Sequence, residues 1–267
     1  MKIIKPAIGG HDGCCFRELY GIWEERGYCE VIEGPCQIDS SYSCDIDSPQ
    51  AKCWINEIGD ILLYDLPLLD RLQHDYNFGL FANTRPDNPK SKTWTFIPKH
   101  PRFYDSVKKD LRRNLSDRSI NIGFVGTPTN PTRNRLAVDW HSFCDVFHFD
   151  HFKIEHSDYL NILSQMKYGL CLRGVGPKCL RDIELIGMGT VPIFTQGVST
   201  EYYEKLEENI HFIYANSPEE AVEKISTISD EQWKTLSANC IEWFERNCSV
   251  DGVYKTTMKI LEEGGKI

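Results

Sequence analysis

The chain of 267 residues contains no Cys-x-x-Cys pair, no excess of basic charge, no long apolar run, no Walker loop and no internal repeat. Each absence removes a class of protein. Without Cys-x-x-Cys, the eleven cysteines do not read as a zinc knuckle. Their odd number, and an N-terminus "MKIIKPAIGGHDG" without the apolar stretch of a signal peptide, point to reduced thiols. The longest apolar runs fall far short of the ~20 residues a spanning helix needs, so the chain reads as soluble and cytoplasmic. Lys plus Arg number 30 against 39 Asp plus Glu, a net charge of −9. That balance lacks the footprint of a nucleic-acid binder, and local basic residues need local explanations.

What remains is ordinary globular material, 41% hydrophobic and 26% charged, long enough for one large domain or two. Strand and helix patterns alternate. "KIIKPAIGG" reads as a strand and "CCFRELYGIWEERG" as a helix with apolar residues at helical spacing. "CEVIEG", "DILLYD", "FGLFANT" and "TWTFIP" read as short strands, and "DSVKKDLRRNLSD" as a charged helix or linker. Near residue 118 the pattern restarts. "SINIGFVG", "DVFHFD", "GLCLRG", "TVPIFTQ" and "NIHFIYAN" are strands, with "SDYLNILSQMK" and "KCLRDIELIGMG" as helices. Ser217-Pro218-Glu219-Glu220 has the chemistry of a helix start, and "VDGVYKTTMKILEEG" is a last helix. Alternation of this kind implies parallel sheets covered on both faces, with ligands held beyond the carboxyl ends of the strands.

One stretch stands out, "CLRGVGPKCLRDIELI" at 171–186. A strand runs into Arg173-Gly174-Val175-Gly176-Pro177, and a helix starts near Lys178. Helix N-termini offer free N–H groups and a positive dipole end. Glycines allow close backbone approach, and Arg173 and Arg181 carry forked donors suited to phosphate oxygens. Glu184 lies one turn beyond Arg181 on the same helical face, placed to accept ribose hydroxyls. The competing reading is a solvated Arg–Glu pair on a surface helix. The stretch is not the dinucleotide fingerprint, because the third glycine is missing and Pro177 intervenes.

Residues 159–194, "YLNILSQMKYGLCLRGVGPKCLRDIELIGMGTVPIF", resemble the signature of exostosin-like glycosyltransferases, glycosyltransferase family 47. That pattern reads Tyr, a helix, Ser-Lys-Phe-Cys-Leu, a Pro-Arg-Gly turn, Ser-x-Arg-x-x-Glu-Ala and Gly-Cys-x-Pro-Val. Tyr159, Lys167, Leu170, Arg173, Gly174, Arg181, Glu184, Gly189, Pro192 and Ile193 fall in register. Gly169 replaces the family's Cys, Leu172 its frequent Pro, and Cys179 its Ser. "INIGFVGTPTNPTRNRL" is similar to a second element of the family, with Gly126, Thr127 and Arg133. "DILLYDLPLLDRL" resembles a third, with Asp65 at the family's aspartate.

The resemblance implies an α/β fold of GT-B type, two Rossmann-like domains with a cleft between them. Residues 1–117 would bind the acceptor and 118–250 the nucleotide sugar. The helix of 251–267 would pack back on the N-terminal domain. It implies an inverting, metal-independent transferase moving a sugar from a UDP-sugar to a hydroxyl of an oligosaccharide or glycoprotein. Gly126, Thr127, Arg133, Arg173, Gly174, Lys178, Arg181 and Glu184 would hold the donor, with no cofactor or metal. The short chain looks like the free-standing members of the family in large algal viruses. One of these is a xylosyltransferase, which makes xylose the first donor expectation.

Transfer needs a general base for the acceptor hydroxyl. Asp65 is the first candidate, and a helix N-cap is its structural alternative. His11 or Asp12, in the turn "GGHDG", is the second, with His11 kept as base or acceptor contact, and turn chemistry is the alternative. Asp45-Ile46-Asp47 matches a metal-binding Asp-x-Asp, but it follows a polar stretch in an acid-rich chain and reads as chance. A catalytically degenerate nucleotide- or glycan-binding module is the competing function. An epimerase is disfavoured, since Tyr254-Lys255 and Tyr203-Glu204-Lys205 lack Tyr-x-x-x-Lys spacing.

Overall fold

A computed structural model describes residues 2–4, 13–32, 54–56, 79–82, 89, 91–127, 140–148, 154–174 and 176–264. In chain order its elements are β1 (Lys2–Ile4), α1 (Gly13–Glu25), β2 (Glu30–Ile32), β3 (Trp54–Asn56), β4 (Gly79–Phe81), β5 (Ser91–Thr93), α2 (Pro101–Leu111), β6 (Ile120–Val125), β7 (Val146–His148), α3 (His156–Gln165), β8 (Met166–Cys171), α4 (Leu180–Gly187), β9 (Val191–Phe194), β10 (Ile213–Tyr214), α5 (Pro218–Ser226), α6 (Asp230–Asn247) and α7 (Val250–Glu263). They divide into two compact units. One gathers Met1–Asp105, Glu201–Glu204 and Arg246–Ile267, and the other Ser106–Thr200 and Lys205–Glu245.

The first unit carries two small parallel sheets among its described residues, β1-β2 and β3-β4-β5. Phe16, Leu19, Tyr20 and Trp23 recur at helical spacing on α1 and are all buried. Each such side chain contributes roughly 1.5–3 kcal/mol by leaving water. The helix α7 packs on α1. Trp23 Nε1 donates to Val250 O at 2.9 Å, and Tyr28 stacks on Tyr254 with ring centroids 4.4 Å apart. Trp94 Nε1 donates to Thr257 Oγ1 at 2.8 Å. The apolar run "TWTFIP" is not a strand beyond Thr93. Trp94, Phe96 and Ile97 are buried in irregular backbone, where hydrophobicity reports burial and not a ladder.

The second unit is an α/β Rossmann-like domain around one five-stranded parallel sheet, in the order β7-β6-β8-β9-β10. Ile122, Phe124, Tyr168, Leu170, Val191 and Ile193 alternate onto one face and join Ala221 of α5 with Trp233 and Leu236 of α6 in a single core. On the opposite face Gly123 and Gly169 are register partners in β6 and β8. A Cβ built on Gly169 would sit 2.6 Å from both methyls of Leu185, so α4 lies tight against β8. Ser217 caps α5, accepting from Glu220 N–H, as its sequence requires. At the amino ends of the strands Arg118 is buried. It donates from Nη1 to Met166 O and Thr190 Oγ1, from Nη2 to Met188 O and from Nε to Arg113 O, at 2.6, 2.7, 2.8 and 3.3 Å. Its guanidinium stacks 5.0 Å from the Trp233 ring.

Among the described residues no helix is long and apolar enough to cross a membrane. Cys15, Cys29, Cys144, Cys171, Cys179, Cys240 and Cys248 form no disulfide. Trp23, Trp94 and Trp140 are buried core residues.

Candidate functional site

In order of appearance the strands of the second unit are arranged 2-1-3-4-5, so chain direction across the sheet reverses between β6 and β8. A doubly wound sheet opens a crevice at the carboxyl ends of such a strand pair. Arg181 spans it. Its Nη1 donates to Val125 O, the last residue of β6, at 3.3 Å. Its Nη2 donates to Leu172 O, just past β8, at 3.2 Å, and to Asp182 Oδ1 at 3.4 Å. The guanidinium lies 4.5 Å from the Phe124 ring centre and is only 6% exposed. Burial opposes its charge, but neighbouring groups, the Asp182 carboxylate first, more than offset that and raise its pKa. Its Nε is buried without a hydrogen-bond partner among the described residues. Gly126 makes the placement possible, since a Cβ there would lie 2.8 Å from Arg181 Nη1.

The head of α4 is built next to this arginine. Cys179 is the N-cap residue in extended conformation, and Asp182 reaches back to accept its N–H at 3.1 Å. The helix therefore starts at Leu180 and not at Lys178. Glu184, one turn in, is 1% exposed and accepts the Tyr159 hydroxyl at 2.7 Å on Oε2. Burial, reinforced by the charge of Glu184, pushes the Tyr159 phenol well up, so it stays a neutral donor. Burial likewise pushes the Cys171 thiol well up, with Asp182 adding to it.

A third segment, which sequence reading did not single out, follows β9. Thr195 Oγ1 donates to Cys171 O at 3.0 Å, and Ser199 N–H donates to Pro177 O at 2.8 Å. These bonds tie the turn after β9 to the end of β8 and to the glycine turn. Gly197 within it has φ +86, and a Cβ there would lie 2.9 Å from Arg173 Cδ. The only sequence signal was the glycine in Thr195-Gln196-Gly197, which reads as a turn of no particular purpose.

The structure places Gly126, Thr127, Arg173, Gly174, Lys178, Arg181 and Glu184 at this one end of the sheet, in the turns after β6 and β8 and in α4. Arg133, Asp65, His11, Asp12 and the Asp45–Asp47 pair lie outside the described residues. A solvated Arg181–Glu184 pair is not formed. Both residues are buried, with Asp182 and Tyr159 as partners. Leu172, where the exostosin pattern often has Pro, is fully buried core and lends its carbonyl to Arg181. A buried guanidinium, a helix N-terminus and the partly buried Arg173 suit this end of the sheet to an anion.

No protein-family model matches the chain, and no curated protein sequence matches it. Its structural likeness is to solved structures of GT-B fold, which its Rossmann-like domain with a parallel sheet matches. One solved structure of similar fold is Anabaena Alr3699/HepE in complex with UDP and glucose. It is 8% identical, with 98% of each chain covered and a TM-score of 0.53. The same Anabaena protein in complex with UDP-glucose is 10% identical, with 98% of each chain covered and a TM-score of 0.51. At these identities the likeness establishes the fold and assigns no residue a role.

Proposed function

We propose that the chain is a glycosyltransferase that binds a UDP-sugar at the β6–β8 switch point and moves its sugar to a hydroxyl of a glycan acceptor. The observation that carries the reading is the Arg181 brace across the two strand ends, beside the head of α4 and Arg173. Similar folds holding UDP and UDP-glucose support it. In this reading the diphosphate meets the α4 N-terminus, Arg173, Lys178 and the backbone of Gly126, Thr127 and Gly174. Glu184 receives the ribose, and Arg133 belongs to the same donor site. Arginines and a helix dipole then stabilise the leaving diphosphate without a metal.

The reaction is inverting. Asp65 or His11, both in the segment 1–117 that binds the acceptor, takes the proton of the acceptor hydroxyl. Its oxygen bonds to the anomeric carbon as the bond from that carbon to the UDP oxygen breaks, and UDP departs. The residues in register with the exostosin-like pattern support membership of glycosyltransferase family 47, and within it the viral xylosyltransferase makes UDP-xylose the first donor to try.

A thermal-shift panel in EDTA tests the reading, with UDP, GDP and CMP followed by UDP-xylose, UDP-glucuronic acid, UDP-galactose and UDP-glucose. A ligand that binds only the native state raises Tm by mass action. A rise with uridine nucleotides alone is expected, and the largest rise names the donor. No rise with any of them would sink the proposal.

A further inference from the structure

The two arginines flanking the glycine turn are not equivalent, and the reason lies in the turn after β9. Arg181 is buried, and its forked head is turned onto protein carbonyls and Asp182. Arg173 is only partly buried, and its stem runs along Gly197. A Cβ on Gly197 would stand 2.9 Å from Arg173 Cδ, 3.6 Å from its Nη1 and 3.8 Å from its own Cβ. The whole length of the Arg173 side chain therefore follows the space that this glycine leaves open. The contact at Cδ is in the middle of the side chain. A torsion at the tip cannot relieve it, and Arg173 would have to leave its rotamer. Gly197 is also held in place, since Ser199 N–H donates to Pro177 O and Val198 N–H to Thr195 O. Its φ of +86 is the left-handed region that glycine adopts without steric penalty.

We infer that Gly197 is a positioning residue for the nucleotide: it sets the rotamer that aims Arg173 at the diphosphate, while Arg181 braces the ends of β6 and β8. The inference rests on the UDP-site reading above. It predicts a discrimination that a purely structural glycine would not affect. Arg173 acts on phosphate and not on uracil or ribose, so misdirecting it lowers affinity for UDP and leaves affinity for uridine unchanged.

The test is calorimetric titration of UDP, UMP and uridine into the wild-type protein, Gly197→Asn, Arg173→Ala and the double variant. Asn tolerates positive φ better than other side chains yet still places a Cβ against Arg173, which separates the clash from backbone strain. A charge-assisted phosphate contact corresponds to roughly 10- to 100-fold in affinity. Gly197→Asn is expected to lose that for UDP, and nothing for uridine. In the double-mutant cycle it should cost no more than Arg173→Ala alone, because its effect runs through Arg173. If UDP binding falls in Arg173→Ala but holds in Gly197→Asn, the inference is overturned and the UDP site stands. Equal losses for UDP and uridine in Gly197→Asn overturn it too. If wild-type protein binds no UDP, the site reading itself fails, and the inference with it. Should Gly197→Asn not fold, Gly197→Ala under the same titrations takes its place, with the same outcomes.

Discussion

The sheet of the second unit holds a buried arginine at each end, and the two are put to different use. At the amino ends Arg118 donates to four acceptors, three of them backbone carbonyls, and its π face is covered by Trp233. At the carboxyl ends Arg181 also joins neighbouring strands. There one partner is a carboxylate, the three bonds run from 3.2 to 3.4 Å, and Nε has no partner among the described residues. Charge follows the same split. Burial pulls Arg118 down to about 10, while Asp182 and its neighbours outweigh burial at Arg181 and push it up. Arg118 is a plug that completes the backbone bonding of strand ends. Arg181 keeps a held, paired charge at the carboxyl ends of β6 and β8. Burial alone does not separate the two arginines; the state of their donors does.

Removing each arginine sharpens the contrast. Arg181→Ala leaves Asp182 buried without its cation, and breaking a buried pair costs about 3–5 kcal/mol. Urea unfolding should show a loss of that size, and calorimetry should find UDP binding abolished. Unchanged UDP affinity would break the comparison at its centre. Arg118→Ala leaves several carbonyls unpaired and should cost on the order of 2–3 kcal/mol in the same unfolding experiment. Its UDP affinity should equal that of wild type, and a selective loss of nucleotide binding would erase the distinction between the two ends. The smallest effect belongs to Glu184→Gln, which keeps an oxygen for Tyr159 but loses the charge. It should weaken UDP by roughly 10-fold and the 2′,3′-dideoxy analogue much less. Equal losses would remove the ribose role.

Much of this end of the molecule was legible in the chain. Glycine, arginine and helix-start chemistry at 171–186 located the turn and α4 at the end of β8, because each depends on local rules. What was not legible depends on distant packing. The fork of Arg181 onto Val125 needs the strand order, which spacing does not encode. The helix α4 begins at Leu180 because Asp182 caps Cys179, an exchange that a Cys in the cap position hides. "NIHFIYAN" shrank to a strand of Ile213–Tyr214. Asn209 takes φ +61 and donates its N–H to Phe212 O, closing a turn where alternation suggested a ladder. Gly197 is invisible without the arginine lying on it.

The contact between Gly169 and Leu185 bears on how this sequence can vary. Along the chain the two positions are unrelated. Across the strand–helix contact they share one volume, because Leu185 occupies the place a side chain on residue 169 would take. The order of any exchange is constrained as well. Shrinking residue 185 first opens a void that a side chain at 169 then fills, whereas enlarging residue 169 first drives its Cβ into the leucine methyls. The two positions should therefore change as a unit, and a large residue at both would require α4 to move off the sheet.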